Sequence, residues 1–234
     1  MEYGNDLPIK FISIGNCCAV KHHIDIWHKN KPATNLFDWV LSSFDSIIEI
    51  LQTGSSIFDI KNWNVFGTWN NGHGKLTKRL RVQGIDYFES IHDMTITDGD
   101  FSIVADRYKR RLNRFFKLLK KTYPIVFVHF TDVGNSPSSQ QVENLLQCID
   151  TIAGHDMHQI LVTYHKPHNQ VQRQPVNLHN DRITVINFTD FPVGKHNIQW
   201  RYDGYDWQHV LDSMAIKINM MFLHVGRTCN SMGE

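Results

Sequence analysis

Ile9-Lys10-Phe11-Ile12-Ser13-Ile14-Gly15-Asn16-Cys17-Cys18-Ala19 decides the fold. Its apolar residues, Ile9, Phe11, Ile12 and Ile14, make a run of strand length that breaks at Gly15. From Ala19 to Trp27 the sequence is compatible with a helix. A chain that leaves a strand at a glycine and enters a helix at a cysteine sets that sulfur beside the unpaired N–H groups of the first turn. Their partial positive charge favours thiolate over thiol, and the thiolate is the nucleophile. The plainer reading is packing, since cysteine is among the residue types most often buried. Cys17 and Cys18 would point about 100° apart in a first helical turn, so one can face a cleft while the other packs. The local pattern does not choose between them.

Outward from this stretch, the runs 125–130, 159–164 and 182–188 have the same buried-strand character. Residues 138–152 carry Val142, Leu145, Leu146 and Ile149 at helical spacing, after a helix start at Ser136-Pro137-Ser138. Val210, Leu211, Met214, Ile218 and Met221 predict a closing helix over 207–222. Strands that alternate with helices, and are apolar throughout, predict an α/β fold with a mostly parallel sheet flanked by helices. The whole chain, 1–234, reads as a single α/β domain, with residues 54–100 as a loop-rich, aromatic-rich irregular insertion. A helix is expected over 36–53. Residues 107–121 predict an amphipathic helix that packs through Leu112, Phe115, Phe116 and Leu119 and leaves most of its basic charges in solvent.

A chain of 234 residues can bury a sizeable core. Its 24 basic and 23 acidic residues create no global field, so no specific nucleic-acid binding is expected. The 14 histidines are scattered without HExxH spacing, and the four cysteines form no CxxC, so no metal, disulfide framework or organic cofactor is implied. The first residues lack a signal-peptide profile, and no apolar run reaches the roughly 20 residues needed to span a bilayer. The chain reads as soluble and cytoplasmic, without a membrane partner.

In open α/β sheets functional groups gather beyond the carboxyl ends of the strands. Those ends carry Cys17-Cys18, Thr131-Asp132, Tyr164-His165-Lys166 and Thr189-Asp190. A cysteine, a histidine and carboxylates on one rim are the parts of a Cys/His/acid hydrolytic centre, with His165 as its base. The competing reading is that strand ends favour polar residues for turns. His92 is a second candidate base. If its segment is extended, Asp93 points to the opposite face and cannot orient it, so the acid would come from elsewhere, for example Asp38. Asp206-Trp207-Gln208-His209 resembles the Asp-x-x-His block of the SGNH esterases, but Gly-Asn-Cys stands where those enzymes have Gly-Asp-Ser.

Read in order, the blocks point to one family. Ile12-Ser13-Ile14-Gly15-Asn16-Cys17-Cys18 resembles the Ser-Leu-Gly-x-x-Cys opening of an uncharacterised family described as papain-like cysteine peptidases. Phe37-Asp38-Trp39, His92-Asp93, the basic run from Arg110 to Phe115 and the segment from Trp200 to Trp207 match further blocks, with Leu36 in place of the family's proline. The resemblance implies Cys18 rather than Cys17 as nucleophile and His92 rather than His165 as its partner. It also implies a papain-like architecture with an antiparallel barrel, whereas the periodicity predicts a parallel sheet.

The resulting expectation is a cysteine-dependent hydrolase with a peptide, amide or ester substrate. Cys18 would attack, His92 or His165 would move the proton, and Asp38 would orient the base. Phe37-Asp38-Trp39 should then lie against the Cys18 turn. Two alternatives stand beside it: a non-enzymatic module that binds a glycan, nucleotide or protein, and an SGNH-like esterase variant using Asp206 and His209.

Overall fold

A computed structural model of the protein describes residues 9–15, 18–29, 33–70, 76–132, 137–165, 180–188 and 206–230. Along the chain come β1 (Lys10–Ser13), α1 (Cys18–Trp27), β2 (Val40–Ser42), α2 (Phe44–Thr53), β3 (Trp63–Asn70), β4 (Leu76–Val82) and β5 (Phe88–Ser90). They are followed by α3 (Ser102–Leu119), β6 (Ile125–Asp132), α4 (Ser139–Ala153), β7 (Gln159–His165), β8 (Ile183–Phe188) and α5 (Trp207–Asn230). Two short 3-10 turns, Gly54–Phe58 and Ile60–Asn62, join α2 to β3.

The four apolar runs form one parallel sheet in the order β1-β6-β7-β8. Successive strand side chains point to opposite faces, and both faces are covered, which is why these strands read as continuously apolar. Phe11, Val126, Val128, Phe130 and Leu161 meet Val20 and Ile24 of α1 and Trp207, Val210, Leu211, Met214 and Ile218 of α5. On the other face Ile12, Ile14, Ile125, Phe127, Ile160 and Val162 share a core with α2, α3 and α4. The start expected for α4 is made by Ser138, whose side chain accepts the Gln141 N–H while the Gln141 side chain reaches back to the Ser138 N–H.

A second, antiparallel sheet runs β2-β5-β4-β3. Three of its strands, β3, β4 and β5, lie within residues 54–100, the aromatic-rich segment read as short strands and loops. Its inner face (Val40, Leu80, Val82 and Phe88) joins the α2–α4 core, with Trp63 and Phe58 stacked nearby. The helix expected over 36–53 is divided. Residues 36–39 turn, β2 pairs with β5, and α2 begins only at Phe44, where the Ser43 side chain caps it by accepting the Ser46 N–H at 3.2 Å.

The basic helix α3 is buried through Val104, Ala105, Tyr108, Leu112, Phe115 and Leu119, with Phe116 only partly covered. Most of the basic charges of 107–121 stand in solvent as expected, with Arg110, Arg114, Lys117, Lys120 and Lys121 exposed, while others are tied down. Arg107 and Arg111 pair with Asp93, Lys109 pairs with Asp59, and Arg114 donates to the Thr34 carbonyl. No helix among the described residues is long and apolar enough to cross a membrane.

Candidate active site

β1 ends at Ser13, and Gly15 turns the chain at φ +93°, a conformation that side chains disfavour. Space forbids a side chain there as well, because a Cβ on Gly15 would run into the Ser42 Oγ of β2. Gly15 thus sits hard against β2, and α1 begins at Cys18. Cys17 lies outside the described residues. The Cys18 Sγ stands 3.7 Å from the His92 Nε2, within reach of a hydrogen bond to sulfur.

His92 arrives from the loop that follows β5. Its neighbour Asp93, in a bend rather than an extended segment, bonds instead to α3 and fastens the loop there. The Asp93 carboxylate accepts from the Ser90 hydroxyl at 2.6 Å, the Tyr108 hydroxyl at 2.6 Å and Arg107 at 2.6 Å, with Arg111 at 3.3 Å. Burial alone would raise its pKa. The Arg111 charge and the hydrogen bonds from Ser90, Tyr108 and Arg107 outweigh burial and hold it at about 2. The His92 ring lies edge-on to Trp39, with centroids 6.1 Å apart at 87°. Partial burial keeps the His92 pKa below its ordinary value against the opposing pull of the Asp93 charge. At neutral pH the imidazole is therefore mostly uncharged and able to take a proton.

Phe37-Asp38-Trp39 lies beside this pair, and each residue does something different. Phe37 is fully buried, edge-on to Phe115 of α3. The fully buried Asp38 accepts the Asn35 N–H at 2.7 Å and lies 3.4 Å from the Lys21 ammonium of α1, which also binds Asp25 at 2.6 Å. Burial raises the Asp38 pKa despite Lys21 and Asn35, and its Oδ1 has no hydrogen-bond partner. Asp38 thus ties the turn to α1 and makes no hydrogen bond to His92. No other carboxylate among the described residues hydrogen-bonds the His92 Nδ1. Trp39 faces His92 from a backbone φ of +64°.

The structure therefore brings Cys18 and His92 together and pairs Asp38 with Lys21 instead. The His165 backbone closes the carboxyl end of β7, paired with Asp132 and Phe188, while the side chains of His165 and Asp132, and all of Asp190, lie outside the described residues. Asp206 caps α5 by accepting the His209 N–H at 3.0 Å, and His209 is exposed. That pattern gives the Asp-x-x-His block a helix-starting role. Sequence reading missed the anchoring of Asp93. The available signal was Arg107, Tyr108 and Arg111, which recur at i, i+1 and i+4 on the helix already expected there. It also missed His129, fully buried against Phe44 at 4.4 Å, which burial pushes down to about 3 against a small opposing effect of the Ser42 backbone.

A thiol at a helix start, 3.7 Å from a mostly neutral imidazole, can pass its proton to that ring and act as a nucleophile. The sequence profile of the family described as "Putative papain-like cysteine peptidase (DUF1796)" matches residues 9–168, which contain Cys18, Asp38, His92 and His165. No curated protein matches the chain.

Proposed function

The chain belongs to this papain-like cysteine peptidase family, and from that premise we propose that it is a cysteine-dependent hydrolase of amide or ester bonds. The observation that carries the reading is the 3.7 Å approach of the Cys18 Sγ to the His92 Nε2. In the proposed reaction the Cys18 thiol gives its proton to His92, and the thiolate adds to the substrate carbonyl carbon. The oxyanion that forms is stabilised by the positive end of α1. Collapse to a thioester expels the amine or alcohol, which takes the proton from His92. A water molecule, deprotonated by the same imidazole, then attacks the thioester; the acid leaves and the thiol is restored.

Two measurements test this. Iodoacetamide at neutral pH should alkylate Cys18 faster than an ordinary thiol, and His92→Ala should remove that advantage. Against a panel of fluorogenic peptide, amide and ester substrates, Cys18→Ser should lower turnover by orders of magnitude and Cys17→Ser only slightly. His92→Ala should cost roughly 10²–10⁴-fold, as for a lost general base. Turnover unaffected by Cys18→Ser, or a Cys18 as slow as free cysteine toward iodoacetamide, would overturn the hydrolase and leave the binding module. If His165→Ala disables the enzyme and His92→Ala does not, the base lies on the strand-end rim.

A further inference from the structure

Trp39 occupies the left-handed region, which glycine and asparagine tolerate and a bulky aromatic residue rarely enters. The chain on both sides holds it there. Asp38 is tied to the Asn35 N–H and to Lys21, and Val40 opens β2, paired with Ser90. Core packing does not account for the strained residue. Leu36 and Phe37, immediately before it, are fully buried, whereas the Trp39 side chain is only half-buried. Backbone strain of this kind survives where the surroundings over-determine it, and it gathers at functional sites.

The ladder shows where the strain is directed. Val40 and Ser90 form the last rung of β2 and β5, so Trp39 and the His92 loop leave the second sheet side by side. The left-handed turn aims the indole at the imidazole, edge to face, and the imidazole carries its Nε2 to the Cys18 sulfur. Since no carboxylate among the described residues bonds the His92 Nδ1, the neighbouring indole is the support the structure offers for the ring's orientation. We infer that Trp39 is a positioning residue: Asp38 latches the turn to α1, and the strained Trp39 buttresses His92 in the orientation that faces Cys18. Among the described residues, the charged and titratable groups around His92 are Cys18 of α1 and Asp93 of its own loop, the latter matched by Arg107 and Arg111 of α3.

The inference rests on the Cys18–His92 reading, and one experiment separates the two. The rate of Cys18 alkylation by iodoacetamide is measured across pH in a Cys17→Ser background, for Trp39→Phe, Trp39→Gly and His92→Ala, with thermal melting as a check of folding. Trp39→Phe should stay within about threefold of the parent, because a smaller ring still offers an edge-to-face contact. Trp39→Gly accepts the positive φ freely but removes the buttress. It should slow alkylation roughly tenfold at neutral pH and move the midpoint of the profile toward the ~8.5 of free cysteine. If Trp39→Gly melts out, Trp39→Asn, which also tolerates the left-handed region, carries the same expectation. A glycine or asparagine variant with the parental rate and midpoint overturns the inference. If His92→Ala also leaves the rate unchanged, the proposed function fails with it; if His92→Ala alone slows the reaction, only the role of Trp39 is lost.

Discussion

Two buried carboxylates flank the Cys18–His92 pair, and they behave in opposite ways. Asp93, 8% exposed, collects two hydroxyls and two guanidinium groups, and its pKa falls to about 2. Asp38, fully buried, has one backbone N–H and a lysine 3.4 Å away that is shared with Asp25, and its pKa rises. Burial pushes both upward; the number and quality of donors decide the sign. Two acids beside one cysteine–histidine pair can therefore play opposite parts. Asp93 is an anchor that favours the ionised folded state. Asp38 is a latch that is costly to ionise.

The largest expected effect is on the anchor. Asp93→Ala leaves Arg107, Arg111, Tyr108 and Ser90 without their shared acceptor and should cost about 3 kcal/mol in urea unfolding. It should also slow Cys18 alkylation, because the loop carrying His92 loses its tie to α3. A cost no larger than that of a surface substitution would break the contrast between the two acids.

Acid unfolding gives a second test, with slopes of opposite sign. Asp93 has a folded pKa below its unfolded value, so its stabilisation is complete above about pH 4 and disappears as pH falls through about 2. The shift from 3.8 to about 2 corresponds to roughly 2 kcal/mol at neutral pH. Asp93→Asn should flatten the loss of stability between about pH 4 and pH 2. For Asp38 the folded pKa lies above the unfolded one. Its ionisation therefore costs stability as pH rises from about 4, and Asp38→Asn should gain on the parent over that range. Parallel curves for the two variants would show that the acids are alike after all.

The smallest effect separates the latch from the anchor at neutral pH. Asp38→Asn keeps an oxygen for the Asn35 N–H, leaves Lys21 its closer partner Asp25 and removes a carboxylate that is costly to ionise, so it should change stability by no more than about 1 kcal/mol in either direction. An Asp38→Asn variant destabilised more than Asp93→Asn in the same urea titration would reverse the assignment of roles.

How legible these features were in sequence follows from what holds each in place. The parallel sheet could be read because β1, β6, β7 and β8 are covered on both faces, which forces continuous apolarity. The second sheet could not. β3 is an edge strand with most residues exposed, and β4 intersperses Lys78, Arg79 and Arg81 among its apolar positions. Val40 and Leu41, apolar and directly before a true helix, carry no period that distinguishes strand from helix. At the site, the junction between strand and helix pointed to a cysteine without choosing between Cys17 and Cys18, and the family resemblance chose Cys18. His92 stood among several candidate bases and only the family resemblance ranked it first, since its approach to Cys18 depends on a loop of the second sheet. The partners of Asp38 and Asp93 sit on helices, and sequence spacing between separate elements encodes no ion pair.

The pairing of Lys10 with Ile125 has a consequence in time rather than space. β1 and the Cys18 turn leave the ribosome long before β6, the strand that gives them a neighbour, and long-range parallel pairing is slow to form. Until β6 is made and docks, α1 lacks the sheet face that fixes its start, and the Cys18 sulfur behaves as that of any unfolded chain. A nascent or truncated chain ending before residue 125 thus holds Cys18, His92 and every strand of the second sheet, yet lacks the parallel sheet against which α1 is set.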